Sequence, residues 1–285
     1  MRVWQRDPAG VWRQSVAGEP GRLAGEVLVQ VVAARVPASG EQGGAVALAG
    51  TVLSADAALS ELVGRPVAIL PTARAEGVPP PVQQGVLQEQ VAVPADRILP
   101  LAVGRPLAEA PMLATAAAVL SALSHRVAIG DSVLCLGAQP RMLLAAQWAR
   151  VAGALDVYIS DPDAAALESV RRNWLGERLL AAPTQAIERV RQLRQGCGVD
   201  LVILPTDRPD LRQAALTLLA PGGHLLVLDR LPEASQRFWR VSARIWGTGR
   251  LILRDMAPML PADQLEGWSR DHGRHAESVI IDLQA

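Results

Sequence analysis

The chain has 285 residues, half of them apolar, with 28 basic and 28 acidic side chains and no net formal charge. That is enough for one large or two modest domains with a full core, and a neutral balance without a basic stripe gives no expectation of a nucleic-acid partner. Every basic residue is arginine, so pyridoxal-phosphate attachment, Schiff-base chemistry, a Walker phosphate loop and a Tyr/Lys hydride-transfer pair have no lysine to run on.

In chain order, the first hundred residues alternate short apolar runs with Gly and Pro breaks. Runs at 26–34, 45–53, 66–70 and 85–93 predict a β-rich domain with irregular connections. Between them Pro79, Pro80 and Pro81 predict a rigid surface connection within 54–86. A small-residue helix is expected over 110–126. From Asp131 the rhythm becomes strand, helix, strand, helix: strands at 132–136, 156–160, 201–204 and 224–228, helices at 141–151, 163–174, 184–194 and 208–219. Continuous Val, Leu and Ile strands with helices between them predict a parallel sheet covered on both faces, an α/β fold. The tail returns to shorter pieces and ends in a strand over 278–283.

The longest apolar stretches are broken by charges or Pro, short of the roughly 20 residues needed to cross a bilayer. The first residues have no apolar signal core, so a soluble cytoplasmic protein with no membrane partner is expected. Two cysteines occur, Cys135 in a predicted strand and Cys197 in a Gly-rich loop. Both are read as plain thiols, which excludes a disulfide framework and a four-cysteine zinc lobe. A single tyrosine, Tyr158, and a single phenylalanine, Phe238, make aromatic cages unexpected.

The most informative stretch is 133–150. It reads as the strand, turn and helix of a dinucleotide-binding unit in which the three glycine places of G-x-G-x-x-G hold Gly137, Gln139 and Met142. The second glycine normally lets pyrophosphate approach the backbone and the third lets the helix pack close to the strand, so Gln139 puts a side chain where the phosphates lie and Met142 needs more room. The helix start, with Pro140 at its first position, still offers backbone N–H groups and a positive dipole end, and Arg141 could add a charge-assisted contact. Asp161 ends the next predicted strand, where a carboxylate accepts hydrogen bonds from an adenine ribose, which favours NAD(H) over NADP(H). The equally weighted alternative is that Asp161 caps the helix beginning near Asp163.

The order of parts resembles the medium-chain dehydrogenase/reductase superfamily. The resemblance runs over nearly the whole chain and is carried by GEVLVQVVAA at 25–34, QVAVPADRILP at 90–100, GDSVLCLG at 130–137, GVDLVI at 198–203 and LAPGGHLLVL at 219–228. It implies a GroES-like β-rich substrate domain over 1–108, to which 251–285 return, and a Rossmann domain, a doubly wound parallel sheet, over 109–250. It also shows what is missing: Pro37 stands at a zinc-ligand place of the zinc-dependent members, the Gly-His-Glu motif falls near Ala45, Val46 and Ala47, and a further ligand aligns with Ala114. No zinc is expected, because the metal needs three N, S or O ligands around an open position. Ser39 matches the family's proton-relaying hydroxyl, with an ordinary turn residue as the alternative, and Thr206 matches a residue lining the cofactor's ribose and nicotinamide side.

The remaining candidates are plainer. His272 and His275 have the i, i+3 spacing of a metal pair but read better as a solvated polar turn; His125 reads as a charge at a helix C-terminus, and His224 as a satisfied sheet histidine. Two expectations follow. One is a zinc-independent NAD(P)H-dependent oxidoreductase acting on a small carbonyl or enone substrate, with the nicotinamide supplying the hydride and Ser39 as the named proton donor. The other is a cofactor-poor relative with a non-redox, binding or subunit role. The resemblance also implies a homodimer through the Rossmann sheet edge, at 224–228.

Overall fold

The computed structural model describes residues 1–7, 10–36, 47–70, 86–173, 178–181, 183–272 and 279–284. The first part of the chain runs β1 (Arg2–Arg6), β2 (Trp12–Val16), β3 (Glu26–Val36), β4 (Ala47–Ser54), β5 (Pro66–Ile69), β6 (Val86–Gln88), β7 (Gln90–Pro94) and β8 (Ile98–Pro100), then α1 (Leu113–Leu123). Alternation follows next: β9 (Ser132–Leu136), α2 (Pro140–Ala152), β10 (Asp156–Asp161), α3 (Ala164–Asn173), β11 (Arg178–Ala181), α4 (Pro183–Leu193), β12 (Val199–Leu204), α5 (Pro209–Leu216), β13 (Leu219–Val227) and α6 (Gln236–Gly247). The chain closes with β14 (Met259–Pro261), α7 (Leu265–His272) and β15 (Val279–Asp282). These elements form two compact units, Met1–Ala114 with Leu253–Ala285, and Thr115–Ile252.

The first unit is built on β3, whose alternating Val27, Val29 and Val31 point inward at 0% exposure. Period-two placement of β-branched residues puts one whole face of the strand in the core. Its first half pairs antiparallel with β7, its second half with β15, and β4 lies along its other edge in the sheet order β14-β15-β3-β4-β5-β8. A second sheet, β2-β1-β6, adds Trp4, Trp12 and Leu87 to the same core. The N–H of Trp12 reaches Ser269 Oγ on α7, which ties the chain's two ends together inside this unit.

In the second unit five parallel strands lie in the order β11-β10-β9-β12-β13. All five residues of β9 are buried, and β12 is nearly so, as expected for strands covered on both faces. The order reverses between β9 and β12, and such a switch point leaves a crevice beyond the strands' carboxyl ends. The opposite, N-terminal ends are pinned by polar contacts: Asp200 Oδ2 accepts from the N–H and hydroxyl of Ser132 at 2.8 and 2.7 Å. Burial works to raise the Asp200 carboxyl, but the Ser132 hydrogen bonds and the nearby Arg194 charge outweigh it and hold it below the usual aspartate range.

Several boundaries depart from the sequence expectation. The helix expected over 110–126 is a 3-10 turn at Leu107–Met112 followed by α1, since Pro111 has no N–H to donate. The run at 85–93 splits into β6 and β7, the strand expected over 224–228 begins at Leu219, and β1, β2, β8, β11, α6 and α7 were not anticipated. His224 lies on β13 with its side chain exposed, and His125 takes a left-handed φ of 65° just beyond α1. Ser39, Pro37, Ala45, Val46, Pro79, Pro80, Pro81 and His275 lie outside the described residues.

Candidate functional site

The turn from β9 into α2 sits at the switch point. Gly137 takes φ +129°, a conformation that side-chain-bearing residues rarely adopt, and its N–H donates to Ser160 O at 2.6 Å on β10. A methyl group on Gly137 would lie 3.2 Å from Gln139 Cδ and closer still to Oε1. The Gln139 side chain therefore folds back across the turn, over the backbone that pyrophosphate approaches in a glycine-rich turn. Its Oε1 is buried without a hydrogen-bond partner among the described residues, and a buried acceptor left unmade costs about 1–3 kcal/mol.

Gln139 is also the N-cap residue of α2, with no side-chain capping bond. Its carbonyl accepts from the N–H groups of Met142 and Leu143 at 2.8 and 3.1 Å, which tightens the first turn. Pro140 occupies the first helical position, where its missing N–H is not needed and its φ is already helical. The N–H groups of Gln139 and Arg141 make no bond with the described residues. Arg141 Nη1 donates to Leu228 O at 3.1 Å, so its guanidinium braces the helix start against the end of β13. Met142 is fully buried; at the third glycine place it serves as a core residue.

Asp161, 9% exposed, closes β10. Its Oδ2 accepts from Ala138 N–H at 2.7 Å and its Oδ1 from Asp163 N–H at 2.8 Å. It does not cap α3: Asp163 does, accepting from Ala165 N–H at 2.9 Å. Asp161 thus ties the turn to the neighbouring strand, and each oxygen keeps a second lone pair for another donor. Thr206, exposed, lies just past the end of β12 beyond buried Pro205, on the other side of the switch point. Gly137, Gln139, Pro140, Arg141, Asp161 and Thr206 accordingly lie at the carboxyl ends of β9, β10 and β12, whereas the His272–His275 pair lies partly outside the described residues. Among the described residues no three His, Cys, Asp or Glu side chains cluster as metal ligands.

Sequence reasoning missed the bracing of Arg141 by Leu228 and the tie from Asp161 to Ala138. Neither has a local sequence signal, because each partner lies more than twenty residues away.

No family model matches the chain. It is 32% identical over 122 residues to an L-threonine 3-dehydrogenase of Saccharopolyspora erythraea and 35% identical over 121 residues to one of Streptomyces avermitilis. These matches take in 43% and 42% of this chain and 35% and 34% of those enzymes, so the chain spans about a third of the length of the curated relatives it matches. Among solved structures it is similar to an alcohol dehydrogenase from Thermus sp. ATN1, at TM-score 0.76 and 19% identity over 99% of both chains. It is similar also to a candidate zinc-binding dehydrogenase from Sinorhizobium meliloti 1021 bound to NADP (0.74, 18%) and to an alcohol dehydrogenase of E. coli CFT073 complexed with NADH (0.73, 15%), each over 99% of both chains. Each unit shares its fold with these dehydrogenase structures, the first GroES-like and β-rich, the second a Rossmann parallel sheet.

Proposed function

From this fold, we propose that the chain is an oxidoreductase that binds a nicotinamide dinucleotide at the β9–α2 turn and acts on a small carbonyl or enone without zinc. The observation that carries the reading is Asp161 at the carboxyl end of β10, joined to the turn through Ala138, with the N–H groups of Gln139 and Arg141 open at the start of α2. In this reading the helix end takes a phosphate, the free lone pairs of Asp161 take the ribose and favour NAD(H), and Thr206 lines the nicotinamide side. The dinucleotide supplies the hydride; the chain's residues bind and orient it. Ser39 is the proposed proton donor. Pro37, Ala47 and Ala114 cannot ligate a metal, which supports zinc independence. The cofactor part is proposed as 109–250 and the substrate part as 1–108 with 251–285.

A homodimer is proposed through the outer edge of β13, which among the described residues pairs on one side only and leaves Leu225, Leu226 and Val227 half-buried. A cytoplasmic location is part of the same reading; no helix among the described residues is long and apolar enough to cross a membrane.

A second reading, a cofactor-poor protein with a binding or subunit role, is favoured by the Gln139 side chain lying across the turn. Titration of the purified chain with NADH and NADPH, followed by tryptophan quenching and calorimetry, separates the two. Saturable binding with NADH preferred supports the oxidoreductase. No binding up to millimolar cofactor overturns it in favour of the second reading.

A further inference from the structure

Helix α6 carries an electrostatic arrangement that its own stability does not ask for. Trp239 and Trp246 are seven residues apart, return to one face at 3.6 residues per turn, and are buried together with Ser242 and Ala243. Arg237, Arg240 and Arg244 fall on the opposite face at i, i+3 and i+7, all exposed. At a rise of 1.5 Å per residue they occupy a strip about 10 Å long. Like charges three and four apart on a helix repel. Arg237 lies in the first turn, where the positive dipole end disfavours a cation, and Ser235 at the N-cap makes no side-chain bond to compensate.

Four other arginines of the same unit with exposed side chains are paired with acids, while Arg126, Arg189, Arg230 and Arg250 are exposed singly, with no acid partner among the described residues. Arg171 meets Glu168, Arg191 meets Glu188, Arg208 meets Asp210 and Arg212 meets Asp207. No described acid pairs with Arg237, Arg240 or Arg244, and residues 236–250 contain four arginines and no Asp or Glu. What sets α6 apart is register: three arginines that repel one another on one helix face, with no acid among them, mark a place where something outside the chain completes the pattern.

We propose that the outer strip of α6 docks an acidic segment of a partner protein, one that presents carboxylates at matching three- and four-residue spacing. Guanidinium and carboxylate pair in a bidentate fork, so three arginines in register recognise three carboxylates with direction as well as charge. A second copy of this chain offers no match, since no described helix carries three acidic residues at i, i+3 and i+7. Nucleic acid is disfavoured by the neutral chain, as three phosphate contacts release few counterions. Anionic lipid is disfavoured because the apolar face of α6 is used internally, which leaves Val241 as the outward apolar residue near the strip.

The test is fluorescence anisotropy of a labelled helical peptide with glutamates at i, i+3 and i+7, titrated with the full chain. Saturable binding that weakens with added salt is expected, with none to the peptide carrying glutamines instead. The triple variant Arg237→Gln, Arg240→Gln, Arg244→Gln should bind at least tenfold more weakly while melting at or above the native temperature, because it removes repulsion. The triple lysine variant should keep part of the affinity. Absence of binding by the native chain, equal binding by the glutamine variant, or tighter binding to single-stranded DNA or to vesicles of anionic lipid overturns the proposal.

Discussion

Asp161 on β10 holds the N–H of Ala138 at 2.7 Å, joining the end of one strand to the turn that follows another. The bond makes one carboxylate both a structural tie and the proposed ribose acceptor, and two substitutions separate these roles. Asp161→Ala removes acceptors from the N–H groups of Ala138 and Asp163 and should cost about 1–3 kcal/mol of stability. It should also weaken NADH binding and reduce the preference over NADPH. Asp161→Asn keeps an acceptor for Ala138 and should recover most of the stability without the preference. Calorimetric titration of both variants beside the native chain is the check; unchanged cofactor binding in the alanine variant would remove Asp161 from the site.

Gln139 should set the strength of cofactor binding. Its amide must leave the turn before pyrophosphate can approach Gly137, and an ordered side chain of this kind is worth about 0.5–1.5 kcal/mol. Gln139→Gly should therefore tighten NADH binding by about two- to tenfold. Glycine is tolerated at an N-cap, so little stability should change. Equal affinities in variant and native chain would show that Gln139 is no barrier.

The parallel sheet was legible because its strands are continuous Val, Leu and Ile runs separated by helical periods, and 133–150 betrayed the turn by the places of Gly137, Gln139 and Met142. The edges were not. β11 is a four-residue strand beginning with Arg178, and β1 and β2 carry Arg and Gln among few apolar residues, so period-two alternation is weak. For α6 a signal did exist in Trp239, Ala243 and Trp246 at i, i+4 and i+7, masked by the arginines between them. That Asp161 is partnered depends on a contact between separate segments, and that Gln139 folds back over Gly137 is a choice of side-chain rotamer; composition and spacing encode neither.

Asp200 gives an acid-sensitive element of stability. Its carboxyl is held below the ordinary aspartate value of about 3.9, so its contribution is complete above that value and is lost as the pH falls through the lower folded-state value. Asp200→Ala also leaves the N–H and the buried hydroxyl proton of Ser132 without their acceptor, at a cost of about 1–3 kcal/mol. The melting-temperature gap between native chain and variant should be wide at neutral pH and should narrow below about pH 4. A gap independent of pH would assign the loss to packing alone.

Gln147 mimics a strand neighbour. Its Nε2 donates to Ile252 O at 2.8 Å and its Oε1 accepts from Ile252 N–H at 2.7 Å, so one α2 side chain fixes both backbone groups of the last residue of its unit. The next residue, Trp148, donates from its indole to Ala116 O at 2.9 Å and fixes the unit's beginning in the same way. Gln147→Leu keeps much of the buried volume but satisfies neither group of Ile252. Water can reach that half-buried residue, so the loss should be about 1–2 kcal/mol, toward the lower part of the range for unmade bonds. The segment should open locally before the rest of the unit, and Arg250 and Arg254, both exposed, bracket it. Trypsin should therefore cut at these two arginines faster in the leucine variant than in the native chain under conditions where both remain folded. Unchanged cleavage with an unchanged melting temperature would mean that α2 does not hold the segment in place.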